Sequence, residues 1–408
     1  MTKHVVIVGA GHGGVSLCAA LRAQDFAGTI TLLSDEGDLP YHRPPLSKAF
    51  LTNDTAEAET RLLLEPPHFY DEQRIDLRLN TRVNALDTHT QTLHLDNGSV
   101  LPYDQLVLAT GARARTLPLP GSTLDGVVQL RTLEQARTLR QRLASCQSIV
   151  IVGGGFIGLE IAATARKLGK QVTVLETASR IMERSVSPQV SAYVTGKHRE
   201  QGITLELDST VKAFLGDNGQ VSAVRTDTAQ WPADLVIVGA GSLPNSELAQ
   251  DAGIACANGI LVDAQMRTSA PNVFAIGDCV AFENRYAENA RLRLESIQNA
   301  NDQARLVARL ILGETQGYDA LPWFWSDQGE VRLQMVGLSV GRTHCVIRGE
   351  PEGGRFSVFH YRDSTLIAVD SINQPLEHIL SRKLLAAGIS PDPALIADTG
   401  VALKSLLD

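Results

Sequence analysis

The sequence has few cysteines and no close pair of them. Cys18, Cys146, Cys256, Cys279 and Cys345 are scattered over 408 residues, and no CxxC occurs. Neither a zinc knuckle nor a local redox disulfide is specified, and the pattern suits a reduced, cytoplasmic protein. Positive charge is also short: 37 Lys+Arg against 45 Asp+Glu give a formal charge of −8. That argues against a globally basic nucleic-acid binder and leaves a local basic face open. No apolar run reaches the length of a membrane span; the longest candidate, Ser148 to Ala163, contains Gly153, Gly154, Gly155 and Glu160. Met1-Thr2-Lys3 leads straight into an apolar strand, so no targeting segment is expected. Lys404 to Asp408 matches no lipidation or retention signal. HExxH, GxSxG, an EF-hand loop and a P-loop lysine are missing too, so metal and acyl-transfer chemistry have no support. What remains, 44% hydrophobic and 20% charged residues, is ordinary for a globular chain. The length calls for two or three domains.

An internal repeat organises the chain. Val5-Val6-Ile7-Val8 meets Gly9-Ala10-Gly11-His12-Gly13-Gly14, a helix follows from about Val15 to Ala23, and Thr29 to Leu33 leads to Ser34-Asp35. Later, Ile149 to Val152 meets Gly153-Gly154-Gly155-Phe156-Ile157-Gly158, a helix covers Leu159 to Leu168, and Gln171 to Leu175 ends at Glu176. Each is a β-turn-α-β unit with continuously apolar strands, as parallel strands buried on both faces require. Asp104 to Gly111, with Ala109-Thr110-Gly111 at its end, and Asp234 to Gly241 form a second repeated pair of buried strands. Asn272 to Asp278 is a lone later strand. Two copies suggest two nucleotide sites; the alternative is one site and one decorative copy.

In each glycine turn the first glycine makes the tight bend, the second lets backbone approach a pyrophosphate, and the third packs helix on strand. Gly9, Gly11 and Gly14 take these roles in the first copy, and Gly153, Gly155 and Gly158 in the second. The helix N-terminus then offers free N–H groups and a partial positive charge to phosphates. Asp35 and Glu176 follow the second strands, where an acid accepts from a ribose 2′-hydroxyl and repels a 2′-phosphate. Glu176 thus favours NADH, while Arg180 and Arg184 nearby leave NADPH open.

These segments resemble the FAD-dependent pyridine nucleotide oxidoreductases, and within them the ferredoxin reductases of the putidaredoxin reductase and biphenyl dioxygenase reductase type. The match is carried by GAGHGG, by Pro40-Tyr41-His42-Arg43-Pro44-Pro45-Leu46-Ser47-Lys48, by Leu108 to Gly111, and by Gly153 to Glu160. It continues through Ala275-Ile276-Gly277-Asp278-Cys279 and Pro322-Trp323-Phe324-Trp325-Ser326-Asp327-Gln328. The resemblance implies an α/β fold with two Rossmann-like domains and a C-terminal α+β domain, in a glutathione-reductase-like architecture. The expected limits are an FAD domain over 1–114 and 245–321, an inserted NAD domain over 115–244, and a C-terminal domain over 322–408.

The resemblance also assigns sites. FAD is expected on Gly9, Gly11, Gly13, Gly14, Asp35, Arg43, Lys48, Val83, Ala109, Thr110, Gly111, Arg131, Asp278, Ile297 and Trp325. A carboxylate such as Asp278 suits a run of ribitol hydroxyls, and cations suit a pyrophosphate and a reduced flavin. NADH is expected on Gly153, Gly155, Phe156, Ile157, Gly158, Glu160, Glu176, Arg184 and Gly241. Lys48 and Glu160 are expected side by side near the flavin, as groups acting in the reaction with Trp325 as an aromatic cover; a structural ion pair at the domain seam is the alternative. Trp323 and Cys279 read as core packing. Disulfide reductases of the superfamily carry CxxC or CxxxxC beside the flavin, and this chain has neither.

The implied activity is hydride transfer from NADH to FAD, then single electrons to a [2Fe-2S] ferredoxin that feeds a cytochrome P450 or a ring-hydroxylating dioxygenase. Such ferredoxins are acidic, so Arg305, Arg309 and Lys404 are expected to dock one. Neither a nucleic acid nor a membrane is expected as a partner, and monomer and homodimer both stay open. Rival readings are a rubredoxin reductase, an NADH oxidase, a monodehydroascorbate-type reductase, or a redox-sensing protein like apoptosis-inducing factor. In the last part, Arg355 to Tyr361 and Thr365 to Val369 read as a hairpin. Glu377 to Ala387 reads as a helix stopped by Gly388.

Overall fold

A computed structural model describes residues 3–53 and 56–407. Met1, Thr2 and Asp408, used above to read the termini, lie outside them. The chain forms two compact units, each gathered from three stretches of sequence. The first holds Met1–His42, Glu59–Arg113 and Leu243–Ala320; the second holds Arg43–Ala58, Ala114–Ser242 and Leu321–Asp408.

The first unit is built on a five-stranded sheet in the order Val273–Ala275, Gln105–Leu108, His4–Val8, Thr29–Leu33, Ile75–Arg78. All neighbours are parallel. His4–Val8 comes first in the chain yet lies in the middle, so the winding direction reverses beside it. The carboxyl ends of His4–Val8 and Gln105–Leu108 therefore flank a crevice of the kind where α/β sheets bind ligands. Val5, Val6, Ile7, Leu106, Val107 and Leu108 are fully buried, which explains the unbroken apolar runs. The helix His12–Ala23 and the helix Ile297–Ile311 pack together on this core. The first helix begins at His12, earlier than Val15, because Gly11 is itself the N-cap residue. The lone later strand is only Val273–Ala275; a positive φ of 79° at Gly277 turns the chain into a short 3-10 segment, Gly277–Cys279.

The second unit repeats the plan. Its parallel sheet runs Thr204–Glu206, Gln171–Leu175, Ser148–Val152, Leu235–Val238, Val127–Val128. Again the strand before the glycine turn is central and the order reverses beside it. The helix after the turn is Phe156–Lys167, with Gly155 as its N-cap residue. One further repeat carries no motif and escapes the sequence reading. Each unit inserts a three-stranded antiparallel sheet just before the strand that flanks the central strand on its other side (Gln105–Leu108 in one, Leu235–Val238 in the other): Val83–Asp87, Thr92–Leu95 and Val100–Pro102 in the first, and Val211–Asp217, Gln220–Thr226 and Gln230–Pro232 in the second.

The second unit also contains a five-stranded antiparallel sheet ordered Trp323–Gln328, Val331–Gly337, Thr365–Ile372, Arg355–Arg362, His344–Glu350. The expected hairpin is there, and its turn is made by Asp363 at φ 52°. The helix Pro375–Ala386 lies on this sheet and starts two residues earlier than Glu377, because Pro375 and Leu376 continue its first turn. Gly388 takes φ 68° beyond its end. Arg348, 5% exposed, pairs with Glu377 at 3.0 Å. It also donates to the carbonyls of Ile396, Asp398 and Val401, which ties down the C-terminal segment. No helix among the described residues is long and apolar enough to cross a membrane.

Candidate functional site

The two glycine turns are nearly identical in geometry. Gly9 and Gly153 both sit at φ 111°, where a side chain is strained. A Cβ on Gly9 would lie 2.2 Å from the Ala109 carbonyl oxygen, and one on Gly153 would lie 2.4 Å from that of Gly239. A Cβ on Gly14 would meet the Gly9 oxygen at 2.1 Å, and one on Gly158 the Gly153 oxygen at 2.4 Å. Gly11 and Gly155 differ: nothing lies within 4 Å of a Cβ placed there. Each therefore presents bare backbone to open space at a helix N-terminus whose N-cap residue, a glycine, has no side chain to cap it. That is a cradle fitted to a pyrophosphate, made twice. Gly13 packs inward instead, with Ile276 at 3.3 Å from a Cβ there.

The acids that follow are not equivalent. Leu33 pairs with Val8 and Leu175 with Val152, which aligns Ser34, not Asp35, with Glu176. The backbone N–H groups of Ser34 and Glu176 both donate to the third strand, at 2.9 and 2.8 Å. Asp35 lies one position further out and is exposed. The Glu176 carboxylate accepts from the N–H of Gly154 at 2.6 Å and of Ala178 at 2.8 Å, which fixes it beside the second glycine turn. Arg180 spends its guanidinium on the carbonyls of Val186 and Glu183. Arg184 is exposed.

In the first unit, Ala109, Thr110 and Gly111 cap the strand beside Gly9. Thr110 donates to the Asn245 carbonyl at 2.6 Å, and the Asn245 amide returns a bond to the Thr110 carbonyl at 2.8 Å. Asp278 lies half-buried in the 3-10 turn, while Cys279 behind it is fully buried, its thiol pushed up by burial. Ile297 opens its helix after Ser296, whose hydroxyl accepts from the Asn299 N–H. Val83 begins the antiparallel insertion. One feature went unread in the sequence: His12, inside the glycine turn, has Nε2 3.2 Å from Nδ1 of His42. Burial pushes His42 down. The only sequence signal was a histidine at the variable position of the motif.

In the second unit, Pro44–Ser47 form a 3-10 turn flanked by Arg43 and Lys48. Arg43 donates to the Arg131 carbonyl at 2.8 Å. Lys48 reaches Glu160 with an N···O distance of 2.6 Å and also donates to the Pro44 carbonyl at 3.1 Å. Glu160 is 6% exposed on the helix that opens at the Gly155 cradle. Its carboxylate takes two further donors: Ser47 Oγ at 2.6 Å and Ser326 Oγ at 2.7 Å. Two distant stretches of sequence, Ser47-Lys48 and Ser326, thus converge on one buried charge. Phe156 and Phe324 pack at 4.9 Å between centroids, beside the exposed Ile157. Trp325 stands half-buried, 5.6 Å from the Trp323 ring, on the strand face opposite Phe324 and Ser326. Trp323, half-buried, packs against the core beside His378 of the helix Pro375–Ala386. Gly241 takes φ 91°, with its carbonyl bonded to the Arg115 N–H.

The expected docking cations are already partnered in part. Arg305 is exposed on the Ile297–Ile311 helix but pairs with Asp302 at 2.6 Å. Arg309, one turn on, lies 3.8 Å from Glu314. Both line an open groove of about 850 Å³ against Ser16, Ala19, Ala20 and Ala23 of the first helix. Lys404 is exposed in the other unit, on the 3-10 turn Leu403–Leu406. All five cysteines are free thiols. No group of three or more metal-ligating side chains occurs among the described residues.

Comparison with known proteins agrees with this geometry. The model of the pyridine nucleotide-disulphide oxidoreductases matches residues 3–304, and a reductase C-terminal model matches residues 323–407. Rhodocoxin reductase of Rhodococcus erythropolis is 43% identical over 98% of this chain and 93% of its own. The ferredoxin reductase for the CYP199A2 system from Rhodopseudomonas palustris superposes with a TM-score of 0.96 at 42% identity, covering 100% of both chains. The covalent putidaredoxin reductase–putidaredoxin complex gives 0.95 at 40%, over 99% of this chain and 98% of the other. With two dinucleotide cradles and the C-terminal sheet in place, the chain belongs to the pyridine nucleotide-disulphide oxidoreductase family, in the branch that ends in a reductase C-terminal domain.

Proposed function

We propose that the protein is an NADH-dependent flavoprotein that passes electrons one at a time to a ferredoxin, in the cytoplasm, and so supplies a P450 or a ring-hydroxylating dioxygenase. The observation that carries this reading is the pair of matched cradles, Gly11 and Gly155, in a chain whose five thiols are all free. Two dinucleotides can be held, and no dithiol relay is specified. The near-full-length similarity to the ferredoxin reductase for the CYP199A2 system, and to a reductase solved in complex with putidaredoxin, supports the acceptor.

FAD, when bound, supplies the chemistry: it takes a hydride and gives up electrons singly. The chain's part is to bind and orient. The first cradle, with Gly9, Gly14 and Asp278, suits FAD; the second, with Gly153 and Gly158, suits NADH. Glu176, fixed as an acceptor, selects a ribose hydroxyl over a phosphate. Glu160 stands on the helix that starts at the second cradle, so its carboxylate and the Lys48 ammonium would be placed to help orient a dinucleotide held there. Arg305, Arg309 and Lys404 are the cations proposed to face an acidic ferredoxin.

The test is NADH-driven reduction of a [2Fe-2S] ferredoxin by the purified yellow protein, run beside NADH–ferricyanide turnover at rising salt. Ferredoxin reduction should fall with salt while ferricyanide turnover barely moves. An equal fall in both would remove the docking surface, and no ferredoxin reduction at any salt would remove the acceptor.

A further inference from the structure

The donors on Glu160 do not stop at Ser326. Ser326 Oγ also lies 3.1 Å from Gln328 Nε2, and Gln328 Oε1 lies 3.0 Å from His198 Nε2. The same amide nitrogen points at the Met182 sulfur, 3.5 Å away. Ser326, Gln328 and His198 are each no more than 1% exposed.

The sense of this chain follows from chemistry alone. A carboxylate only accepts, so Ser326 must donate to Glu160. A hydroxyl has one proton, so Ser326 must accept from Gln328. The Gln328 amide nitrogen therefore faces Ser326, and its oxygen faces His198. That oxygen only accepts, so His198 must carry its proton on Nε2. Its Nδ1 is buried with no hydrogen-bond partner among the described residues. Every link donates toward Glu160, from a helix (Pro188–Glu200), through the Trp323–Gln328 strand, to the helix Phe156–Lys167.

We propose that Ser326, Gln328 and His198 are positioning residues: a one-way chain of donors that holds the Glu160 carboxylate, and through it the Lys48 ammonium, in the orientation needed at the bound nicotinamide dinucleotide. A structural ion pair would need only Lys48 and Ser47. The inner chain adds a directional constraint on the Glu160 oxygen that Lys48 does not touch. This inference rests on the reading that the second cradle holds NADH.

Three measurements on the FAD-loaded protein test it. The first is nitrogen NMR of histidine-labelled protein, in which His198 should appear as the Nε2–H tautomer and should lose that bias in Ser326→Ala. The second is calorimetric binding of NAD+, which should change less than threefold in Ser326→Ala. The third is anaerobic stopped-flow reduction by NADH, where the limiting rate should fall about tenfold, or about 1.4 kcal/mol in barrier. Ser326→Thr, which keeps the hydroxyl, should return to within threefold of the parent. Gln328→Leu gives the same arms if Ser326→Ala does not fold. A proton on Nδ1 of His198 overturns the proposal, and so does a parent-like limiting rate in both variants, or a loss that threonine does not rescue. If the parent protein itself is not reduced by NADH, the functional reading fails instead.

Discussion

Replacing Lys48 with Met should uncouple Glu160 from its charged partner. The two charges are 2.6 Å apart, and their side chains are 22% and 7% exposed, so water screens them far less than it screens a surface pair. At an effective dielectric of about 20 the gross attraction at this separation is about 6 kcal/mol. Desolvating both groups takes back more than half, which leaves a coupling of about 2 kcal/mol. The variant keeps the Ser47 and Ser326 donors on Glu160, so the carboxylate is stranded but not bare. A double-mutant cycle with Lys48→Met and Glu160→Gln isolates the coupling, read from urea unfolding of the FAD-loaded protein by circular dichroism and flavin release. Each single variant should lose more stability than its share, and the double variant should regain about 2 kcal/mol. Additivity within about 0.5 kcal/mol would refute the reasoning. A second readout concerns the reaction: stopped-flow reduction by NADH should slow in Lys48→Met, and an unchanged rate would reduce the pair to a structural tie.

Glu176→Ala should narrow the preference for NADH over NADPH by at least about tenfold, because a carboxylate held by two backbone N–H groups no longer repels a 2′-phosphate; kcat/KM with both donors measures it, and an unchanged ratio rejects it. Arg348→Ala removes a buried ion pair and three carbonyl bonds, so about 3–5 kcal/mol should be lost and amides of residues 396–401 should exchange faster, while exchange confined to the parent's pattern would refute the clamp. Burial, aided by Arg382 and Arg332, pushes His378 down to about 4 from 6.5. The unfolded chain therefore binds the extra proton between those values, and stability falls as pH drops from 6.5 toward 4, by about 3 kcal/mol in all. His378→Gln should flatten that slope in urea midpoints measured across the window, and an identical slope would show that another group carries it.

The sheets were legible in the sequence because parallel strands covered on both faces need unbroken apolar runs, and Val5 to Val8 and Ile149 to Val152 are such runs. The glycine turns were legible because sterics leave no choice: at Gly9, Gly14, Gly153 and Gly158 a Cβ would fall within 2.4 Å of a carbonyl oxygen. The antiparallel insertions were not, since short half-exposed strands such as Val83–Asp87 and Val211–Asp217 carry no rigid motif and depend on pairing with later segments. Register was the other limit. Spacing placed an acid after each second strand, but only the pairing of Leu33 with Val8 shows that Ser34, and not Asp35, answers to Glu176.

The site shows the same division more sharply. Lys48 and Glu160 could be named from the sequence only because a family motif joins them; nothing local to either predicts a partner over a hundred residues away. Ser47 and Ser326 stand inside the same motifs, yet neither carried a role of its own, because a hydroxyl in a sequence is mute until its neighbours are known. Yet the burial of Glu160 makes such partners necessary. A carboxylate that is 6% exposed cannot rely on water, and Lys48 reaches only one of its oxygens. Ser326 supplies the other, and a serine that gives away its one proton must then be fed by a donor of its own. Gln328 and His198 follow from that requirement, link by link, once a single buried charge is fixed on the first turns of the helix Phe156–Lys167.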